Sequence, residues 1–151
     1  MSEHLTFRMG EFEARFPADR RYARNHMWAS DQGASVFRVG FTAYAVRLLS
    51  DVYFLEWHVD AGERLAPRQE IGAIESKKAE SSLYAPIAGQ MLRLNEEVLS
   101  DPSTINLDNY GQGWLFELHG AGDELLSPAA YLEHLDSVWE VTQKTIRGQL
   151  L

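Results

Sequence analysis

The stretch ESKKAESSLYAPIAG, residues 75–89, places two of the chain's three lysines side by side. Proline and glycine interrupt its second half, which predicts a turn that leads into a strand. A lysine at a hairpin tip presents an amine on a flexible four-carbon stem, and this amine can lose its proton when another enzyme acylates it. Two interpretations follow: an exposed charged turn, or the attachment site of a group carried on a long tether.

Composition restricts the class of protein. The 151 residues are 45% hydrophobic and 11% aromatic, which predicts a single domain over residues 1–151 with its own core. The chain has no cysteine, which excludes disulfides, thiolate metal sites and cysteine catalysis.

Charge and hydropathy indicate the protein's compartment and the classes of partner it lacks. The net charge is −8, and most acidic residues follow residue 50, so no cluster of cations is available for nucleic acid. The start of the chain has no apolar targeting segment, and no later stretch resembles a membrane span. We expect a soluble cytoplasmic protein without nucleic-acid or membrane partners.

Short alternating segments dominate the middle of the chain. SVFRVGFT (35–42) puts Phe37, Val39 and Phe41 on one face, and DVYFLEWHVD (51–60) predicts another strand. AYAVRLLS (43–50) between them repeats apolar residues at i+4, which predicts a short helix. QMLRLNEEV (90–98) and WLFELHG (114–120) alternate again, with Met91 and Trp114 expected to face inward. Short strands separated by turns indicate an all-β sandwich or barrel.

The C-terminal segment changes to a helical period. Ser127 is a suitable N-cap and Pro128 suits the first helical position. The apolar stripe that follows predicts a helix over about 128–147, which we expect to cover a sheet edge. Lys144 and Arg147 would complement the negative end of this helix.

The sequence shows no pattern typical of an enzyme or a metal site. HxH, HExxH, GxSxG, P-loop and Rossmann glycine patterns are all absent. The expected result is a protein without catalytic or metal-binding residues. Among the histidines, His26 in the stretch NHMW is the exception to examine, although a buried, hydrogen-bonded structural role is the simpler expectation for it.

From about Phe16 to Leu135 the chain resembles the lipoyl-carrying H proteins of the glycine cleavage system. The family pattern runs approximately Y-x-x-x-H-E-W, V-G-I-T-x-x-A-x-x-x-L-G-D, E-S-V-K-A-x-S-D-x-Y-x-P-x-x-G, N-x-x-L and P-Y-G-x-G-W. The matching residues are, in order, Tyr22, His26 and Trp28; Val39, Gly40, Thr42, Ala45, Leu49 and Asp51; Glu75, Ser76, Lys78 and Ala79; Tyr84, Pro86 and Gly89; Asn95 and Leu99; then Tyr110, Gly111, Gly113 and Trp114.

Other carriers fit less well. Biotin carriers set their lysine between methionines, whereas Lys78 lies between Lys77 and Ala79. Lipoyl domains of 2-oxoacid dehydrogenases usually read D-K-A and are much smaller.

The resemblance implies a fold and a modification site. The fold is a mainly β barrel-sandwich hybrid with a core of about 16–120, a short helix after the first core strand and a C-terminal helix. Lipoate is expected on Lys78 as N6-lipoyllysine, because Lys77 occupies the family's valine position. The other expected cofactor-binding residues are Glu75, Ser76, Ala79, His26, Met27 and Ser82. Among these, Glu75 is expected to position the lysine for the lipoate-attaching enzyme.

Two departures from the family pattern concern the cargo of the arm. Met27 stands where the family has glutamate, and Ser82 stands where it has aspartate. In the family these carboxylates lie where the loaded arm places its cationic aminomethyl group. A cation in a partly dry cleft needs a nearby anion to offset desolvation, so the loss of both carboxylates favours another cargo.

The main hypothesis is therefore a lipoate-binding protein that carries sulfur or electrons for a sulfur-oxidising heterodisulfide-reductase-like complex, using the arm's dithiol/disulfide couple. The alternative is an H protein that carries an aminomethyl group for the glycine cleavage enzymes. A second alternative is an unlipoylated H-like interaction module. The lipoate-attaching enzyme is an expected partner for both carrier hypotheses, and dihydrolipoamide dehydrogenase is a further one.

Overall fold

The computed structural model of the chain describes residues 3–150, apart from the side chains of 144–150. Strands dominate and the helices are peripheral. The elements are β1 His4–Met9, β2 Phe12–Pro17, β3 Arg21–Tyr22, β4 Met27–Gly33, β5 Val36–Phe41, α1 Ala43–Leu49, β6 Val52–Trp57, β7 Arg64–Leu65, β8 Glu70–Ser76, β9 Glu80–Tyr84, β10 Gly89–Leu94, α2 Glu96–Ser100, α3 Thr104–Leu107, β11 Phe116–His119 and α4 Pro128–Leu150.

The strands form three antiparallel sheets. A six-stranded sheet has the order β3-β4-β5-β11-β10-β7, a three-stranded sheet has the order β6-β8-β9, and β1 and β2 form a separate hairpin. The predicted mainly β class is confirmed, with a short helix after β5 and a long C-terminal helix, and the arrangement is consistent with a barrel-sandwich hybrid.

The larger core is built from the six-stranded and three-stranded sheets. Phe37, Val39 and Phe41 are buried on one face of β5, as the alternating pattern predicts. Met91 is also fully buried, in agreement with the prediction. Trp114 is only half-buried, because β11 begins two residues later and the guanidinium groups of Arg38 and Arg93 lie 4.5 and 5.0 Å from its ring.

Strand β6 departs from a strict alternation. Val52 and Leu55 are both buried, whereas Tyr53 and Phe54 are both exposed. The pairing with β8 shifts register between Val52 and Phe54, and such a bulge adds a residue that reverses the side-chain alternation. The sequence pattern carries no sign of this irregularity.

A second, aromatic core lies under α4. The ring of Tyr131 stacks on Tyr22 at 4.8 Å and meets Phe16 edge-on at 5.3 Å. Ser127 caps the helix, since its hydroxyl accepts a hydrogen bond from the Ala130 amide at 3.2 Å. The helix packs on β1 and on β3, the edge of the six-stranded sheet. The predicted contributions of Lys144 and Arg147 lie outside the described residues.

Sequence patterns did not predict the β1–β2 hairpin, α2 or α3. Among residues 3–150, no helix combines the length and apolar character needed to cross a membrane.

Candidate functional site

The tight turn between β8 and β9 carries the lysine pair. Glu75 and Glu80 face each other at the end of the ladder, and residues 76–79 close the turn. The Ser76 amide donates to the Ala79 carbonyl at 2.8 Å. The Ser76 hydroxyl, 4% exposed, donates to the same carbonyl at 3.1 Å and accepts from the Ala79 amide at 3.2 Å. One buried serine thus holds both ends of the turn.

Lys77 and Lys78 are both exposed, but they differ in their backbone surroundings. The Lys77 amide donates to the Asp51 carbonyl at 2.8 Å, which joins the turn to the start of β6. Lys78 follows Lys77 as the second central residue of the turn. In the described part of the chain no hydrogen bond or ion pair holds either ammonium group. Lys78 is therefore presented to solvent on a fixed hairpin, as an externally modified lysine must be.

A cleft of about 480 Å³ begins beside Ala79, next to Lys78. One part of its wall is β9, and another part is formed by residues 24–27 and α1. Its lining combines apolar and polar residues. The lining residues are Arg24, Asn25, His26, Met27, Phe41, Ala45, Leu48, Leu49, Ile74, Ala79, Glu80, Ser81, Ser82, Leu83 and Tyr84.

The two departures from the family pattern meet in this cleft. Met27, 2% exposed, and the half-buried Ser82 both line it. Glu80 lines it as well. Since side chains two positions apart share a strand face, Glu80 and Ser82 lie on the same face of β9. The exposed Glu80 therefore places a carboxylate at the border of the cleft, which motif comparison missed and which the period-2 pattern of β9 could have revealed.

His26 anchors the wall of the cleft to α4. Its backbone has a φ of 68°, a left-handed conformation that is uncommon outside glycine. Its Nδ1 lies 2.9 Å from the Tyr131 hydroxyl, which lies 3.0 Å from Thr42 Oγ1. Burial, together with the neighbouring His134, lowers the pKa of His26 to about 4, so the imidazole is neutral near pH 7. This geometry supports the expected structural role, and His26 also borders the cleft.

Asn25 joins the same wall to β9. Its side-chain amide donates to the Tyr84 carbonyl at 3.0 Å, so the two segments meet at the border of the cleft. Sequence patterns gave no signal for Asn25, because the contact spans 59 positions. This part of the wall is thus attached to two elements, by Asn25 to β9 and by His26 to α4.

The predicted site residues fall into two groups. Glu75, Ser76 and Ala79 surround Lys78 at the hairpin, and Ala79 also borders the cleft together with His26, Met27 and Ser82. The structure thus brings the sequence-predicted residues together around one hairpin and one adjoining cleft. Within the described residues, no group of three His, Asp or Glu side chains is placed to hold a metal ion.

Comparison with known proteins agrees with this geometry. The family model for the glycine cleavage H-protein matches residues 20–138. A glycine cleavage system H protein from Laribacter hongkongensis is 41% identical over 121 residues, covering 80% of this chain and 91% of that protein. One from Idiomarina loihiensis is 39% identical over 124 residues, covering 80% and 95%.

A solved structure extends the agreement to the fold. The crystal structure of a glycine cleavage system H protein from Mycobacterium marinum matches with a TM-score of 0.69 and 34% identity, covering 81% of this chain and 98% of that one. The chain belongs to the glycine cleavage H-protein family.

Proposed function

We propose that this protein is the lipoyl carrier of a glycine cleavage system, with lipoate in amide linkage to Lys78. The observation that carries the proposal is the placement of Lys78, exposed in a serine-locked turn and adjacent to a cleft. We further propose that the chain acts as one carrier domain over 1–151, with its core at about 16–120 and α4 packed against it.

The cleft suits a lipoyl group. Ser82, on β9, follows Lys78 by four positions, which span at most about 13 Å even in an extended chain, so the part of β9 that borders the cleft lies within reach of a lipoyl-lysine arm. Met27, Phe41, Ile74 and Leu83 give the cleft apolar surface for an aliphatic chain and its sulfur ring. The exposed polar residues of the lining, such as Glu80 and Ser81, suit an arm whose end stays accessible to partner enzymes.

The chain's own residues hold Lys78 in place and shield the arm from water. Bound lipoate supplies a dithiol/disulfide couple that accepts and releases cargo. Ser76 fixes the direction in which Lys78 leaves the hairpin. The wall at Asn25 and His26 excludes water from one side of the cleft, and the neutral imidazole adds no charge there. Catalysis belongs to the partner enzymes.

The comparisons and the position of Glu80 favour one cargo for the arm. The similar proteins are glycine cleavage H proteins, which favours an aminomethyl group over sulfur. The loss of carboxylates at Met27 and Ser82 suggests a sulfur-oxidising role when the sequence is taken alone. Glu80 weakens that argument, because a carboxylate on the same strand face can still accompany a cation in the cleft.

Reconstitution tests the proposal. The lipoylated protein is combined with glycine decarboxylase, aminomethyltransferase and dihydrolipoamide dehydrogenase, and glycine-dependent CO₂ release is measured, with Lys78→Arg as the control. We expect turnover that depends on Lys78. A lipoylated protein that is inert with glycine, but is reduced or sulfur-loaded by a heterodisulfide-reductase-like complex, would restore the sulfur hypothesis. A protein that never acquires lipoate would favour the unlipoylated interaction module.

A further inference from the structure

Two adjacent aromatic side chains project from the edge strand β6. Tyr53 is 62% exposed and Phe54 is 42% exposed. Both face solvent because the bulge between Val52 and Phe54 interrupts the alternation. Large exposed aromatics on an edge strand are an aggregation hazard, so their presence calls for a partner that covers them.

A third exposed apolar side chain belongs to the residue that follows Asn106, which is hydrogen-bonded to the backbone at the start of β6. Leu107 is 83% exposed. The side chain of the preceding residue, Asn106, makes two hydrogen bonds to the backbone around the start of β6. The Asn106 side chain donates to the Ser50 carbonyl at 2.7 Å and accepts from the Val52 amide at 2.9 Å. We call Tyr53, Phe54 and Leu107 the β6 patch.

The β6 patch is continuous with the lysine-bearing turn. Phe54 pairs with Glu75, three residues before Lys78, and the Lys77 amide is bonded to the Asp51 carbonyl. The sheet order β6-β8-β9 places the patch on one edge strand and the cleft wall on the other. The two surfaces therefore flank the hairpin from opposite edges.

We propose that the β6 patch is the docking surface for the enzyme that attaches lipoate to Lys78, an inference that rests on the proposed function. In this reaction the deprotonated lysine nitrogen attacks the acyl carbon of lipoyl-adenylate. The amide bond forms, AMP leaves, and the second amine proton passes to solvent. The attaching enzyme needs only the lysine and the base of its hairpin, which the patch adjoins. Enzymes that act later need the end of the arm, on the cleft side.

Charge defines the expected partner surface. Asp51 and Glu56 are exposed at the margins of the patch, and Glu75 is half-buried beside Phe54. An apolar centre with an acidic margin fits an enzyme surface that has an apolar centre and a basic rim.

The test measures initial lipoylation rates with a purified lipoate ligase, lipoate and MgATP, followed by intact mass. The variant is the double replacement Tyr53→Ser with Phe54→Ser. We expect KM for the carrier to rise roughly tenfold or more with little change in kcat, because buried aromatics dominate docking energies. Leu92→Ser is the matched control, since Leu92 is 37% exposed on β10, outside the patch. Its KM should not change.

Each outcome decides the proposal. If the wild-type protein is lipoylated and the double variant has an unchanged KM, the docking surface is wrong while the carrier function stands. If wild-type protein is never lipoylated, the carrier function fails and the docking proposal fails with it. If lipoylation is unaffected but the lipoylated variant has a raised KM with glycine decarboxylase, the patch belongs to that enzyme. If the double variant does not fold, Leu107→Ser alone tests the docking proposal. Its KM is expected to rise roughly threefold.

Discussion

The hydroxyl of Ser76 lies 3.1 Å from the carbonyl oxygen of Ala79 and 3.2 Å from its amide nitrogen. A single buried side chain thus closes the turn that presents Lys78. Ser76→Ala should lower the free energy of unfolding by about 1 kcal/mol, the usual value of a lost hydrogen bond. It should also slow lipoylation, because the turn loses its fixed geometry. Urea unfolding and initial lipoylation rates measure both effects.

Ser81→Ala is the matched control for this change. Ser81 is exposed, and within the described residues its hydroxyl bonds only to the neighbouring Ser82 carbonyl, so its removal should alter neither quantity. Lipoylation of Ser76→Ala at the wild-type rate would show that turn closure is unnecessary for recognition.

Gly89 is expected to be required for packing and not for chemistry. A Cβ at this position would meet the His119 carbonyl oxygen and lie 3.3 Å from the Gly120 Cα, within the pairing of β10 with β11. Gly89→Val should therefore cost about 2 kcal/mol or more of stability, since overpacking against backbone cannot relax.

Gly10→Ala separates this steric effect from backbone strain. Gly10 has a φ of 66°, and the Cβ that alanine adds would have no heavy atom within 4 Å beyond those of its chain neighbours. Only the left-handed backbone is therefore penalised, by about 1 kcal/mol. Equal midpoints for the two variants in urea unfolding would contradict the close-approach explanation of Gly89.

Stability should fall in mild acid because of His26. Its pKa is about 4 in the folded protein and about 6.5 when unfolded. Between these values the unfolded state binds more protons, so the stability contribution is complete above pH 6.5 and is lost as the pH falls to about 4. The loss should be about 2–3 kcal/mol, measured as the free energy of unfolding between pH 7 and pH 4.

His26→Asn isolates this contribution from the carboxylates, which also titrate in that range. Asparagine tolerates the left-handed backbone at position 26 and has no proton to gain. The variant should show a shallower pH dependence than the wild-type protein. Parallel pH profiles would mean that His26 is not the source.

The sequence anticipated those features that depend on local patterns. The alternation in β5, the Ser127–Pro128 start of α4 and the Lys78 turn are all readable from a few consecutive residues. The aromatic core was not readable, because it joins Phe16 and Tyr22 to Tyr131 across more than a hundred positions. Likewise, the outward orientation of Tyr53 depends on a register shift in the pairing of β6 with β8, which no residue type in the sequence predicts.

Charge in the cleft should control how long an aminomethyl cargo stays on the carrier. Ser82→Asp adds an anion on the Glu80 face of β9, and Glu80→Gln removes the carboxylate already there. Retention half-life, followed by intact mass after loading with glycine decarboxylase, should lengthen roughly two- to fivefold in the first variant and shorten similarly in the second. Met27→Glu is unsuitable, since Met27 is 2% exposed and a charge there would be buried.

Glu11→Gln makes the same charge change in the exposed β1–β2 turn, away from the cleft lining. It should leave the half-life unchanged. Identical half-lives for the Ser82, Glu80 and Glu11 variants would show that cleft charge does not hold the cargo.

The attachment of lipoate to Lys78 is the central claim, and peptide mapping by mass spectrometry after coexpression with a lipoate ligase tests it most directly. The account predicts one lipoyl group on Lys78, full modification of Lys77→Arg and none of Lys78→Arg. A lipoyl group on Lys77, or a Lys78→Arg protein that still acquires one, would contradict it.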